Sequence, residues 1–179
     1  MGCYTEFPPL KKRVGRLIIE KDIFMQLRDH ITLSKKHQNS FRVFPYFFRP
    51  VLNHFYFLKD DCGFLKPKLD TWKNEGVVEF RSKDIRILVE YMSPNWLGIC
   101  FQKINVPGGI YEHRLFKILG IAYDAELAEV SQSEHYQETE KEIQELEKAI
   151  EKPVEYLSNI IKDNCEKIFS YLRSSSSLP

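Results

Sequence analysis

The stretch V-V-E-F-R-S-K-D-I-R-I-L-V-E-Y, residues 77–91, decides how this chain folds. Its second half alternates without a break: Ile85, Ile87, Val89 and Tyr91 fall on one side, Arg86 and Glu90 on the other. Successive side chains of a strand point to opposite faces, so period two marks a half-buried strand. Residues 77–81 supply a partner strand, and Ser82-Lys83-Asp84 has the polar composition of a tight turn between them. Beyond Ser93-Pro94-Asn95, the segment L-G-I-C-F-Q-K-I (97–104) adds Ile99 and Phe101 to the same buried face. The pattern predicts an antiparallel meander with one dry face and one wet face.

Upstream, residues 51–61 read as a helix with Leu52, Phe55 and Leu58 on neighbouring faces, and Gly63 stands where a left-handed residue closes a helix. Residues 65–69 suggest a further strand that Pro67 confines to an edge. Residues 41–50, F-R-V-F-P-Y-F-F-R-P, carry two prolines and read as irregular chain or an edge strand. Before them, Ile19, Ile23, Leu27 and Ile31 recur every four residues and predict a helix from about residue 17 to 32, ahead of a polar break at 34–40. Pro8-Pro9 and the cluster Lys11, Lys12, Arg13 make an extended arm. Downstream, Val106-Pro107-Gly108-Gly109 ends the sheet, residues 111–119 form a helix stopped by Gly120, and residues 136–172 are helical. The apolar stripe there is Ile143, Leu146, Ile150, Val154, Leu157, Ile161, Ile168 and Leu172, with a split or kink expected at Pro153.

The reading is therefore an α+β fold: a three- to four-stranded antiparallel meander packed on one face by helices, with a long kinked or split C-terminal helical region. Residues 1–50 are an accessory arm and helix, 51–173 the core domain and 174–179 a frayed tail.

Composition sets limits on function. The 179 residues are 43% hydrophobic and 28% charged, ordinary globular usage, and the net charge of +1 gives no global attraction to nucleic acid. The charges are unevenly placed. Residues 1–50 hold ten Lys/Arg against four Asp/Glu, a balance of +6, whereas residues 121–170 hold five against thirteen, a balance of −8. Cys3, Cys62, Cys100 and Cys165 form no C-x-x-C pair and suit a reducing compartment, here the cytoplasm. No apolar run is long enough for a membrane span, and Glu6 stands where myristoylation of a Gly2 start wants Ser or Thr.

Motifs of catalysis are missing. His30, His37, His54, His113 and His135 have no helical His partner, so neither a metal nor any other cofactor is expected. Gly108-Gly109 lacks the third glycine and lysine of a phosphate loop, and Asp60-Asp61 point about 100° apart on a helix. Glu79, Arg81, Arg86, Glu90 and Gln102 share the wet face of the sheet, where cross-strand pairs of opposite charge form. Trp72 and Trp96 are placed in loops or turns beside it. A nucleic-acid reading would rest on Lys11, Lys12, Arg13 and Arg16 with the aromatics of residues 41–48 interleaved with Arg42 and Arg49.

The segment H-F-Y-F-L-K-D-D-C-G-F (54–64), followed by V-V-E-F-R-S, I-R-I-L-V-E-Y and the later R-L-F-K-I-L-G, resembles a class of small bacterial uncharacterised and toxin-immunity-like proteins. These open on F-x-F-L-x-x-x-G-F, continue with a V-x-Y-x-S, I-x-I-x-Y hairpin and close with a C-terminal helix. The likeness covers about residues 51–172; residues 1–50 have no counterpart in it. It implies an α+β fold and binding rather than catalysis, and transfers no functional residue. With the acidic C-terminal region it gives the expected function: a non-enzymatic bacterial protein-binding module, immunity-like, whose partner is another protein such as a basic toxin domain. A second copy of the chain is the other partner considered. The expected binding residues are Glu138, Glu142, Glu145, Arg81, Arg86, Glu90, Trp72 and Trp96. The rival is an enzyme assembled on the polar sheet face from Glu79, Arg81, Arg86 and Glu90, with His54 or His113 beside them; weak single-strand nucleic-acid binding is the third reading.

Overall fold

The computed structural model describes residues 32–33, 45–72, 75–92, 96–130 and 140–175. The side chains of residues 32–33, 45, 71–72 and 140–143 lie outside that description. In chain order the elements are β1 (Thr32–Leu33), α1 (Pro45–Phe55), α2 (Phe57–Asp60), β2 (Lys68–Trp72), β3 (Glu75–Arg81), β4 (Ile85–Met92), β5 (Trp96–Lys103), β6 (Ile110–Tyr111), α3 (Glu112–Leu119), α4 (Ala125–Ala128), α5 (Glu140–Asp163) and α6 (Cys165–Ser174).

The strands form one sheet in the order β1-β2-β3-β4-β5-β6. From β2 to β6 every pairing is antiparallel, and β1 alone runs parallel to its neighbour, Thr32 opposite Lys68 and Leu33 opposite Leu69. The α+β meander read from the sequence is thus present, four strands long and extended by two short edge strands. Burial alternates along β4 as the sequence predicts. The Ser82 hydroxyl accepts the Ile85 N–H at 3.1 Å, while the Ser82 N–H donates to the Ile85 carbonyl at 2.8 Å, which closes the β3–β4 turn.

The dry face, carrying Phe80, Ile87, Val89, Ile99 and Phe101, packs against the helices. Phe47, Phe48, Val51, Leu52 and Phe55 of α1, Ile150, Val154, Leu157 and Ile161 of α5, and Ile168 and Leu172 of α6 fill the layer and are all fully buried or nearly so. Burial of a large apolar side chain contributes about 1.5–3 kcal/mol. On that scale burial outweighs the proline rule over residues 45–50. Residues 45–50 are not irregular: α1 begins at Pro45 and runs across residues 50 and 51. Pro45 sits at the first helical position, where its fixed φ costs nothing and its missing N–H would be unsatisfied anyway. Pro50 costs about 3 kcal/mol as an interior proline, and the five buried side chains outweigh it. The helix expected over residues 51–61 is divided at Tyr56 into α1 and α2.

The same arithmetic moves the C-terminal break. α5 passes through Pro153, and the chain instead turns at Asn164. There the Asn164 amide Nδ2 donates to the Ile160 carbonyl at 2.9 Å, beside the Asn164 backbone N–H at 3.2 Å. The Gly108-Gly109 turn does not end the sheet, because β6 follows it and pairs with Cys100 and Phe101. Trp72 and Trp96 are strand ends rather than loop residues, closing β2 and opening β5. Gly120 ends α3 with φ 61°, as expected, and α4 is capped by Asp124, whose carboxylate accepts the Glu126 N–H at 2.9 Å. Of the expected helix at 17–32 only Thr32 is described, as strand; the arm at 1–15 and residues 176–179 of the tail lie outside the described residues.

Candidate functional site

Register assigns the opposite face of the sheet row by row. One row carries Arg81, Arg86 and Gln102; the next Lys68, Glu79, Leu88, Cys100 and Tyr111; the third Asp70, Val77, Glu90 and Gly98; the last Glu75, Met92 and Trp96, with the Trp72 backbone opposite Glu75. Charge is therefore sorted along the strands. Arginines occupy one end, and Asp70, Glu75 and Glu90 occupy the other.

At the arginine end, Arg86 donates to Glu79 at 3.0 Å and to Gln102 at 3.2 Å. Three of the five polar residues grouped from the sequence thus meet in one network. Arg81 lies directly opposite Arg86 and is exposed.

At the acid end an aromatic cluster covers the strands. The Trp96 ring lies over Gly98, where a Cβ would meet Cζ2 at 2.5 Å, so only glycine leaves room for it. Trp96 meets the Tyr111 ring edge-on at 5.7 Å, and Tyr111 stacks on His113 at 6.4 Å. Trp96 is 43% exposed and Met92 44%, an apolar rim open to solvent. Behind it, the Tyr111 hydroxyl donates to Glu90 at 3.1 Å. Burial pushes the Glu90 carboxyl above its ordinary value, against the pull of the Tyr111 bond, with Glu75 and Glu112 adding repulsion. Tyr111 is pushed up to about 12, mainly by burial and then by Glu90. The Cys100 thiol beneath is raised by burial. It is a packing group of the floor, because Gly109 of the approaching chain leaves room for its sulfur, which a Cβ would meet at 2.6 Å.

Glu112 was not singled out in the sequence, where an acid at a helix start reads as a complement to the helix dipole. It is only 6% exposed and accepts the Ile99 N–H at 2.8 Å. Its carboxylate stands in for a strand carbonyl where β6 stops, fixing α3 and the Tyr111–His113 stack against β5. His113 Nδ1 lies 3.7 Å from the other carboxylate oxygen.

The remaining expected residues divide. Glu138 lies outside the described residues and the Glu142 side chain is not described; Glu145 is exposed on α5. The described solvent side of that helix is mixed in sign, with Glu145, Lys148, Lys152, Glu155, Lys162 and Asp163 exposed. Glu147 turns inward instead, to Arg49 at 2.7 Å, while the half-exposed Glu151 lies 3.9 Å from His54 of α1. His54 therefore stands on the helical side of the sheet and cannot join Glu90, which removes it from the enzyme reading. Phe47 and Phe48 are fully buried and Arg49 is paired, so this part of the aromatic run is core and not a base-stacking platform. Among the described residues no His, Cys, Asp and Glu cluster is placed to hold a metal ion. Within the same set no helix is long and apolar enough to cross a membrane.

Comparison of the chain with protein-family models, with curated proteins and with solved structures finds no match in any of the three.

Proposed function

We propose that this chain is a non-enzymatic protein-binding module, an immunity-like antidote or related bacterial interaction protein of the cytoplasm, which seats a basic segment of another protein on the acid end of its outer sheet face. The observation that carries the reading is the Trp96–Tyr111 pair, held in place by Gly98 and backed by Glu90. Rigid aromatics dominate binding energy at protein interfaces, and an aromatic face next to a carboxylate suits a Lys or Arg side chain. Asp70, Glu75 and Glu90 supply the charge that speeds capture of a basic partner and rejects acidic ones. The site moves from the C-terminal helix to the sheet because the described solvent side of α5 is mixed in charge, with three lysines among its acids.

The rival reading, an enzyme on the same face, draws on the raised Glu90 carboxyl beside Tyr111 and His113. In its disfavour, Arg86 and Glu79 are committed to each other and Glu90 to Tyr111.

Titration of isotope-labelled protein with a Lys/Arg-rich peptide containing aromatic residues tests the proposal. Shifts centred on the Trp96 indole, Met92 methyl and Tyr111 signals are expected, weakening as salt rises and absent for a Glu-rich peptide of equal length. Trp96→Ala should weaken binding by about 2 kcal/mol, roughly thirtyfold. Shifts centred on α5, or none at all, would overturn the choice of surface. A toxin-like reading frame beside this one, whose product this chain neutralises on co-expression, is the expected genetic context of the immunity-like role.

A further inference from the structure

Cys62 and Cys165 are more than a hundred residues apart in sequence, and the fold brings them together. Cys62 follows α2 in the turn before Gly63, and Cys165 is the first residue of α6. Contacts on both sides bracket them. The Lys162 ammonium lies over the Phe57 ring at 5.8 Å, and the Phe64 and Phe169 rings are 5.5 Å apart. Between those contacts Cys165 lies close enough to Cys62 to help push its thiol up. Both are free and partly buried against the core.

We infer that Cys62 and Cys165 form a reversible intrachain disulfide under oxidising stress, tying the end of α2 to the α5–α6 junction at Asn164. The oxidant is a hydroperoxide. One thiol sulfur attacks a peroxide oxygen and becomes a sulfenic acid, releasing water or an alcohol. The second thiol sulfur then attacks the sulfenic sulfur and expels water, so that two thiols lose two protons and two electrons to the peroxide. Burial, with Cys165 and Asp61 beside it, pushes the Cys62 thiol up to about 11. A thiol held up in this way is slow to ionise near neutral pH, so the cross-link forms under oxidising stress rather than at rest.

The closed loop is long, so the cross-link removes much freedom from the unfolded chain. It is independent of the binding reading above, since the junction lies on the helical side of the sheet.

The test treats the full chain with a small excess of hydrogen peroxide, alkylates remaining thiols and maps the peptides without reduction. The expected result is a Cys62 peptide joined to a Cys165 peptide, released by dithiothreitol. The oxidised chain should melt about 5–15 °C above the reduced one. That rise should vanish in both Cys62→Ser and Cys165→Ser and persist in Cys100→Ala. Alkylation of both Cys62 and Cys165 after oxidation, or their linkage to Cys3, Cys100 or a second chain, would overturn the inference. A rise retained by Cys62→Ser would do so as well.

Discussion

Glu90 shows how one side chain reports on its surroundings. Burial raises its carboxyl and the Tyr111 hydroxyl holds that rise down. Tyr111→Phe removes the bond and leaves the burial, so the Glu90 midpoint measured by side-chain NMR should rise further; a fall would mean the Tyr111 bond does not stabilise the carboxylate. A carboxyl raised in the folded state holds its proton more tightly there than in the unfolded chain. Its contribution to stability is therefore present at acid pH and is lost as pH rises through the folded value. Urea midpoints of the native chain relative to Glu90→Gln should accordingly improve between about pH 7 and about pH 4, and a flat difference would contradict the assignment. At Gly98 the constraint is steric. Gly98→Ala should swing Trp96 off the strand, seen as a changed indole resonance, for about 1 kcal/mol or less of stability because the displaced ring is already half in water. The Glu79–Arg86–Gln102 group was legible in the sequence, since strand period alone puts those residues on one face. The Trp96–Tyr111 and Cys62–Cys165 meetings were not, because register and helix docking create them.

Elements obey local rules until burial outweighs them. The β3–β4 hairpin was readable since its pattern and its turn agree. The segment holding Pro45 and Pro50 was misread as irregular because a proline rule considers one residue, whereas α1 buries five large side chains around its prolines. Pro153 repeats the lesson, and the break at Asn164, where the side-chain amide bonds the Ile160 carbonyl, leaves no mark in the apolar period. Two-residue strands such as β6 have no period to read. A different device holds the end of α6: the Lys103 ammonium of β5 donates to the carbonyls of Arg173 and Ser175 at 2.8 and 2.7 Å. A cation at the C-terminal carbonyls satisfies acceptors that have no partner within the helix and complements the dipole. Lys103→Met keeps most of the stem and removes the charge. It should cost about 1 kcal/mol and speed amide exchange in the last turn of α6, leaving β5 exchange unchanged. Equal acceleration in both elements would show that Lys103 acts through global stability instead.

For the whole molecule the question is how the basic first fifty residues relate to the acidic C-terminal region. Arg49–Glu147 joins the two within the fold, and burial still leaves the Glu147 carboxyl above its ordinary value despite the guanidinium beside it. Beside the core packing of Phe47 and Phe48, a further link from the N-terminal region is β1, two residues laid parallel along β2. That link has a bounded strength. A pairing so short contributes few hydrogen bonds, each with a net value near 0.5–1.5 kcal/mol, so its loss should cost about 1–3 kcal/mol. Removing residues 1–40 deletes β1, leaves Arg49 in place and exposes the outer edge of β2. At about 2–4 °C per kcal/mol, the loss of β1 alone lowers the melting temperature by about 2–12 °C. An edge strand open to solvent also invites pairing with another chain, so a concentration-dependent dimer should appear in sedimentation. A fall well beyond that range would mean that residues 1–31 bury apolar surface of their own, with Ile19, Ile23 and Leu27 the side chains to substitute next. An unchanged melting temperature, with binding to the basic peptide lost, would instead assign the N-terminal region to the partner.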